Sequence, residues 1–181
     1  MAMKLGVVVF LSFVAIACAD AASSKVTAGG TKAGVILAAP TTFEVPVESE
    51  ARQRMEVHLA GGSLRVVRLI IRNLRPRAAQ HLKGIRIFIE KPDAGLLTPT
   101  QDSHSAGAFV LGLQSPETML MNVAPALSRL RQSGELTAAD LARRKALRVT
   151  FVPEPSDSNT SLPKDFAITF ESLKFEVPAE P

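Results

Sequence analysis

Short apolar segments interrupted by proline and glycine constrain the fold of this 181-residue chain most strongly. In several of them apolar and polar residues alternate, which is the two-residue period of a strand with one buried face. Such segments lie at residues 43–47, 55–59, 64–74, 85–90, 106–113, 147–152 and 166–177. Residues 122–132 and 137–146 instead have helical spacing and capping residues. The sequence therefore predicts a mainly β protein, an antiparallel β-sandwich with one short helical excursion.

Two of these segments carry detailed expectations. The alternation in residues 85–90 predicts a strand whose isoleucines face the core, while Arg86, Phe88 and Glu90 face outward. The apolar phase shifts within residues 166–177, which predicts a bulge near Glu171.

The first 21 residues have the pattern of a secretory signal peptide. A basic start precedes an apolar run at residues 5–17, and residues 19–21 (Ala-Asp-Ala) form a small-x-small cleavage site. We therefore expect an exported protein, periplasmic or secreted, without a transmembrane span. The small polar residues at 22–42 predict a flexible leader, and residues 43–178 predict a single β-sandwich domain.

Cys18 is the only cysteine and lies in the cleavage region. Residues 15–18 (Ala-Ile-Ala-Cys) loosely resemble a bacterial lipobox, so one interpretation is a lipoprotein anchored at Cys18. The other is an ordinary signal peptide that is cleaved off together with the cysteine. In both cases the folded part has neither a disulfide nor a free thiol.

The residue types that most enzymes use are scarce. The chain has three histidines and no tryptophan or tyrosine, and its sequence contains no HExxH, GxxxxGK[ST] or GxSxG motif. Residues 102–104 (Asp-Ser-His) have the residue types of a hydrolytic triad. However, consecutive residues on an extended chain point in different directions, so they do not form one. The sequence therefore predicts a protein that is not an enzyme.

Histidine and methionine side chains form the one candidate metal site. Imidazoles and thioethers are suitable copper ligands, and an extended segment would place Met119 and Met121 on one face. His58 and His104 are the candidate imidazole ligands. One interpretation is thus a copper carrier, and the alternative is that the methionines only fill gaps in the core.

A cluster of basic residues lies in the first half of the domain. Residues 52–91 contain ten lysines and arginines and only two acidic residues. An acidic partner surface or an anionic cell envelope is the expected contact. Nucleic acid is not expected, because the chain lacks the exposed aromatics that stack on bases. The alternative is a solvated sheet face whose arginines protect strand edges. The candidate interaction residues are Arg65, Arg68, Arg72, Arg75 and Arg77.

Four segments resemble, in order, the C-terminal domain of type-3 copper oxidases, the family of tyrosinase, catechol oxidase and polyphenol oxidase. They are GIRIFIEKP at 84–92, HSAGAFVLGL at 104–113, ALSRLRQSGEL with the following LRVTFVPEP at 126–155, and ITFESLKFEV at 168–177. The first is similar to a strand that reads K-F-D-V-x-V-N in plant polyphenol oxidases, although residues 86–89 here read Arg-Ile-Phe-Ile. The family pattern also has a histidine at the position of His104. The histidine-rich copper domain that precedes this domain in the family has no counterpart in the sequence.

The resemblance implies a fold and a role. The fold would be a β-sandwich of the jelly-roll type or like the C-terminal domain of haemocyanins. The role would be that of an accessory protein that shields, stabilises or helps to mature a type-3 copper oxidase, without a cofactor of its own unless it binds copper. In the family an apolar or aromatic loop residue covers the copper-site entrance, and Leu96 and Leu97 are the candidates here. The alternatives are the copper carrier and a general envelope-binding sandwich.

Overall fold

The computed structural model describes residues 24–26, 33–63, 65–111, 117–157 and 161–178. The predicted signal peptide and Cys18 lie outside these ranges and stay predictions. Within them, no helix combines the length and apolar character that a membrane crossing requires.

The described residues form ten strands and three helices. The strands are β1 (Ser24–Val26), β2 (Gly34–Leu37), β3 (Thr41–Pro46), β4 (Arg68–Arg77), β5 (Leu82–Ile89), β6 (Ser105–Phe109), β7 (Glu117–Asn122), β8 (Ala146–Pro155), β9 (Ala167–Phe170) and β10 (Ser172–Glu176). The helices are α1 (Ser49–Leu59), α2 (Ala124–Gln132) and α3 (Ala138–Arg144). The predicted fold class, mainly β with two packed sheets, is confirmed.

Two five-stranded sheets share the core. The first has the order β1-β3-β8-β5-β6, and its neighbours are antiparallel except that β1 runs parallel to β3. In the second, β4 pairs with β7 along one edge and with β10 and β9, one after the other, along its opposite edge; β9 also pairs with β2. Inward side chains of both sheets and of the helices form one apolar cluster.

A one-residue interruption separates strands β9 and β10 where the sequence predicts a bulge. Glu171 separates the two strands, and its N–H donates to the carbonyl oxygen of Arg72 on β4 at 2.9 Å. Facing this break, Asn73 has a φ of 54°, which marks an irregularity in β4 itself. The predicted phase shift in 166–177 is thus confirmed.

One predicted strand, at residues 55–59, is wrong because these residues end helix α1. Met55 and Leu59 are buried, and they lie four residues apart, on one helical face. Val57, which strand alternation would bury with them, is 61% exposed. Five residues are too few to separate the two periods, so the alternation was ambiguous there. The part of the chain that the structure describes therefore has three helices rather than a single helical excursion.

The predicted leader at 22–42 is wrong for residues 34–42, which belong to β2 and β3 and the turn between them. At Gly34 the small residue serves packing rather than flexibility. A Cβ at Gly34 would lie 2.9 Å from Cε1 of Phe43, so the glycine makes room for a core ring. The ring of Phe43 in turn packs edge-on against Phe151 and Phe170, with centroids 5.7 and 5.2 Å apart.

The two predicted helices are confirmed. Asn122 caps the start of α2 in part, because its Oδ1 accepts a hydrogen bond from the N–H of Ala124 at 3.1 Å, although Val123 occupies the cap position itself. At α3 the predicted capping box is complete: the hydroxyl of Thr137 accepts from the Asp140 N–H, and the Asp140 carboxylate accepts from the Thr137 N–H.

Candidate functional site: a loop anchored by Arg86

The outer face of β5 is covered by the chain that follows it. Arg86 and Phe88 point away from the main core, as the alternation predicts, but they are only 3% and 0% exposed. Phe88, Ala94 and Val152 form a second, smaller apolar cluster on this face. The predicted outward direction is therefore confirmed, but the face is not exposed, because the loop between β5 and β6 folds over it and buries it.

Arg86 ties this covering loop to the strand. Its guanidinium donates hydrogen bonds to the carbonyl oxygens of Gly95 (3.2 Å), Leu96 (2.9 Å) and Thr98. These carbonyls belong to one tight turn, and a planar group with five N–H donors can satisfy all three together. The buried arginine thus holds the loop by its backbone and leaves the loop side chains free to point elsewhere.

The charge of Arg86 is balanced by Glu154, and the guanidinium group also lies over the ring of Phe88. Nε of Arg86 lies 2.8 Å from Oε1 of Glu154, an ion pair whose angle departs from hydrogen-bond geometry. The guanidinium carbon lies 5.5 Å from the centroid of the Phe88 ring, within cation–π range. Both contacts offset part of the free-energy cost of removing the guanidinium group from water.

The far end of the loop is fixed by a second set of polar contacts. Lys91 Nζ lies 3.3 Å from the Asp102 carboxylate, which also accepts a hydrogen bond from the His104 N–H at 2.9 Å. Partial burial raises the pKa of Asp102, but these two donors outweigh it, and the pKa lies below its usual range. The loop is therefore clamped at its start and at its end.

His104 joins the loop to the turn after α2. Its Nδ1 lies 2.7 Å from the carbonyl oxygen of Ile89, and its Nε2 lies 2.6 Å from Oε2 of Glu135. Hydrogen bonds from Ser133 and His104 hold the pKa of Glu135 below its usual range. Both neighbours of the ring are oxygen atoms that accept hydrogen bonds, so the imidazole links Ile89 of β5 to Glu135 in the turn after α2.

Leu96 and Leu97 occupy the tip of the anchored loop. Leu96 is 56% exposed, and Leu97 is 98% exposed. The N–H of Gly95 donates to the hydroxyl of Thr98 at 2.9 Å, so the backbone of this turn is bonded on either side of the leucines. The result is an apolar tip on a rigid support, with nothing among the described residues covering Leu97.

The remaining copper-ligand candidates are used structurally. Nδ1 of His58 lies 3.1 Å from the carbonyl oxygen of Gly62, and its Nε2 lies 3.1 Å from Oγ of Ser128. Met119 and Met121 do share one face of β7, as predicted for an extended segment, and that face packs against the main core. Across the described ranges, no three side chains among His, Cys, Asp and Glu group in a way that would hold a metal ion.

The predicted basic residues are placed on and before one strand. Arg65 is exposed ahead of β4, while Arg68, Arg72, Arg75 and Arg77 all lie on β4, on the face opposite to the buried Leu69, Ile71 and Leu74. They point away from the main core, on the side of the molecule opposite to the anchored loop.

The pKa of His58 yields a prediction on stability. Burial lowers this pKa below 6.5, and the nearby Arg131 guanidinium lowers it further, whereas the hydrogen bond to Gly62 raises it. The unfolded chain therefore takes up a proton at His58 at a higher pH than the folded chain. The resulting stabilisation is complete above about pH 6.5 and is lost as the pH falls through the lower, folded-state pKa.

We expect urea denaturation to give a lower free energy of unfolding at about pH 5.5 than at about pH 7.5. In His58→Gln, which keeps a polar side chain without a titrating group, this decrease should be smaller. His81→Gln is the matched control, because His81 is exposed and its replacement should leave the decrease unchanged. An equal decrease in the wild type and in His58→Gln would contradict this assignment.

No protein-family model and no curated protein matches the sequence. Solved structures similar to the chain include latent apple tyrosinase, 16% identical with a TM-score of 0.47, over 86% of this chain and 29% of that chain. Latent aurone synthase, a polyphenol oxidase, is 18% identical with a TM-score of 0.46, over 80% of this chain and 26% of that chain. The chain thus spans less than a third of the length of these proteins. The enzymes in these structures are of the family that the four sequence segments resemble.

Proposed function

We propose that this chain is a non-catalytic accessory protein that covers the copper-site entrance of a type-3 copper oxidase with the tip formed by Leu96 and Leu97. The four ordered segments that resemble the C-terminal domain of that family support the choice of partner. The observation that carries the proposal is Leu97, 98% exposed on a loop that the buried Arg86 fastens from below.

An apolar tip on a fixed loop is suited to filling an apolar opening. Burying a leucine side chain contributes about 1.5–3 kcal/mol. A loop that is already ordered loses little conformational entropy when it docks, so more of this contribution remains as affinity. The chain would then act by steric exclusion of bulky phenols, while the copper and its ligands belong to the partner.

The partner can be identified by capture. The chain, immobilised through its C-terminus, is incubated with the exported and envelope fractions of the organism that encodes it, and the retained proteins are identified by mass spectrometry. Recovery of a histidine-rich type-3 copper oxidase, reduced with a Leu97→Asp bait, is the expected result. Retention of no such oxidase by a bait that is demonstrably folded would contradict the proposal.

A further inference from the structure

The outer face of the second sheet carries arginines and aliphatic side chains, whereas the tip of the anchored loop is apolar. Backbone pairing aligns its outward side chains in rungs across the strands. On one rung Leu120 of β7, Ile70 of β4 and Lys174 of β10 are neighbours, although Ile70 between them is only 4% exposed. Another rung joins Arg75 of β4, Thr169 of β9 and Val35 of β2, and the rung beyond it joins Arg77, Ala167 and Leu37.

An irregularity in β4 keeps its arginines on this one face. Arg68 and Arg72 alternate with the fully buried Leu69 and Ile71, so they point outward. If β4 were a regular strand throughout, Arg75 would have the opposite phase and point into the core. The extra residue Asn73, with its φ of 54°, restores the outward phase for Arg75 and Arg77. Four guanidinium groups thus follow one strand over about 30 Å.

Few carboxylates oppose this row. Glu176 lies 3.7 Å from Arg68 and 3.4 Å from Lys174, so one carboxylate serves two cations. Glu171, at the strand break, accepts a hydrogen bond from the side chain of Asn73. Within the described ranges, no ion pair joins Arg72, Arg75 or Arg77 to an acidic side chain, and all three are exposed.

Exposed aliphatic side chains flank the arginine row on both sides. Leu120 is 58% exposed at the β7 edge, and Val35 and Leu37 are 38% and 41% exposed at the β2 edge. The outward positions of this sheet in the described residues include no aromatic side chain. The face therefore combines spread positive charge with apolar margins, and its cations follow a line instead of converging on one point.

We propose that this outer face, which we name the arginine face, binds the surface of an anionic lipid bilayer. Guanidinium groups spread along a flat sheet match many separate phosphate groups in one plane better than a single small ligand. The aliphatic margins suit the acyl boundary below the headgroups, as in proteins that lie on a membrane. A second copy of the chain would be repelled by like charge, and a single-stranded nucleic acid would lack aromatic stacking partners.

The arginine face and the Leu97 tip lie on opposite sides of the main core, so lipid and a partner enzyme could be bound together. The proposal does not depend on the oxidase, because it rests only on the composition of the second sheet. Its failure would leave the accessory role untouched, and it can be tested with the full chain and lipid alone.

The test is co-sedimentation with large vesicles of phosphatidylcholine, with or without about 30% phosphatidylglycerol, in about 50 mM NaCl. We expect phosphatidylglycerol to raise the partition coefficient of the wild type at least tenfold, and about 500 mM NaCl to abolish that increase. Arg72→Glu with Arg75→Glu should remove at least nine-tenths of it. Every variant carries the same residues 1–32, so any contribution of these residues to lipid binding cancels when the partition coefficients of the variants are compared.

Two matched controls separate the face from net charge and from general surface apolarity. Lys83→Glu with Arg143→Glu makes the same change in charge at exposed positions off the second sheet, and should lower binding less than threefold. Leu120→Ser with Leu37→Ser should lower binding severalfold, whereas Val57→Ser on α1 should not. Equal losses in the two charge variants, or binding that does not depend on phosphatidylglycerol, would overturn the proposal. Tight binding of soluble polyaspartate together with none to vesicles would also overturn it and indicate an acidic protein partner.

Discussion

Arg86→Met is expected to lower the free energy of unfolding by about 3 kcal/mol, the largest loss of stability among the substitutions considered. Methionine can fill much of the space of the arginine stem, so the loss comes from polar groups. The loop carbonyls of Gly95 and Leu96 lose their donor, and Glu154 loses its counter-ion. The loop over β5 should then detach more easily than the strands beneath it unfold.

Urea denaturation measures the loss in the free energy of unfolding, and limited proteolysis measures the detachment of the loop. Cleavage in Arg86→Met should begin between β5 and β6 and should be much faster than in the wild type. Arg86→Lys keeps a charge but not the planar guanidinium group. Its free energy of unfolding and its cleavage rate should therefore lie between those of the wild type and those of Arg86→Met. Arg72→Met is the control, because Arg72 is exposed and its loss should change stability by less than about 0.5 kcal/mol. Wild-type stability and proteolysis in Arg86→Met would contradict the anchoring role.

Leu97→Asp is expected to weaken inhibition of the captured oxidase at least tenfold while leaving the thermal unfolding midpoint unchanged. The side chain is 98% exposed, so its replacement costs the free chain almost nothing. In the complex, an unpaired carboxylate would have to leave water at an apolar opening, which is unfavourable. Leu97→Ala should give a smaller loss, because it removes apolar area without adding charge.

The readout is the rate of diphenol oxidation as the chain is titrated into the oxidase. Val57→Asp is the matched control, since it places the same charge at another exposed aliphatic position, 61% exposed on α1. It should inhibit like the wild type. Undiminished inhibition by Leu97→Asp would show that the tip is not the contact and would assign the covering role to another surface.

The strands and caps of this fold could be predicted because their signals are local. Alternation over 85–90 identified β5, and the Thr137 and Asp140 pair identified the start of α3. The burial of Arg86 could not be predicted, because it depends on a loop that closes over the strand from residues further along the chain. A period of two distinguishes the two faces of a strand, but it cannot tell whether the outer one is covered.

The candidate site could be predicted only where its residues carry a local signal. Leu96 and Leu97 stand out as apolar residues in a loop rich in proline and glycine; both are exposed, and their covering role stays a prediction. The anchoring role of Arg86 has no local signal, since it joins residues 9 to 12 positions apart through backbone carbonyls. The common face of the β4 arginines depends on the backbone of Asn73, which composition does not reveal.

The accessory role is tested most directly by adding the wild-type chain to the captured oxidase and following the oxidation of a bulky and a small phenol. We expect saturable inhibition that is complete near one equivalent for the bulky phenol and weaker for the small one. Unchanged oxidation of both phenols at a large excess of chain that is bound to the oxidase would contradict it.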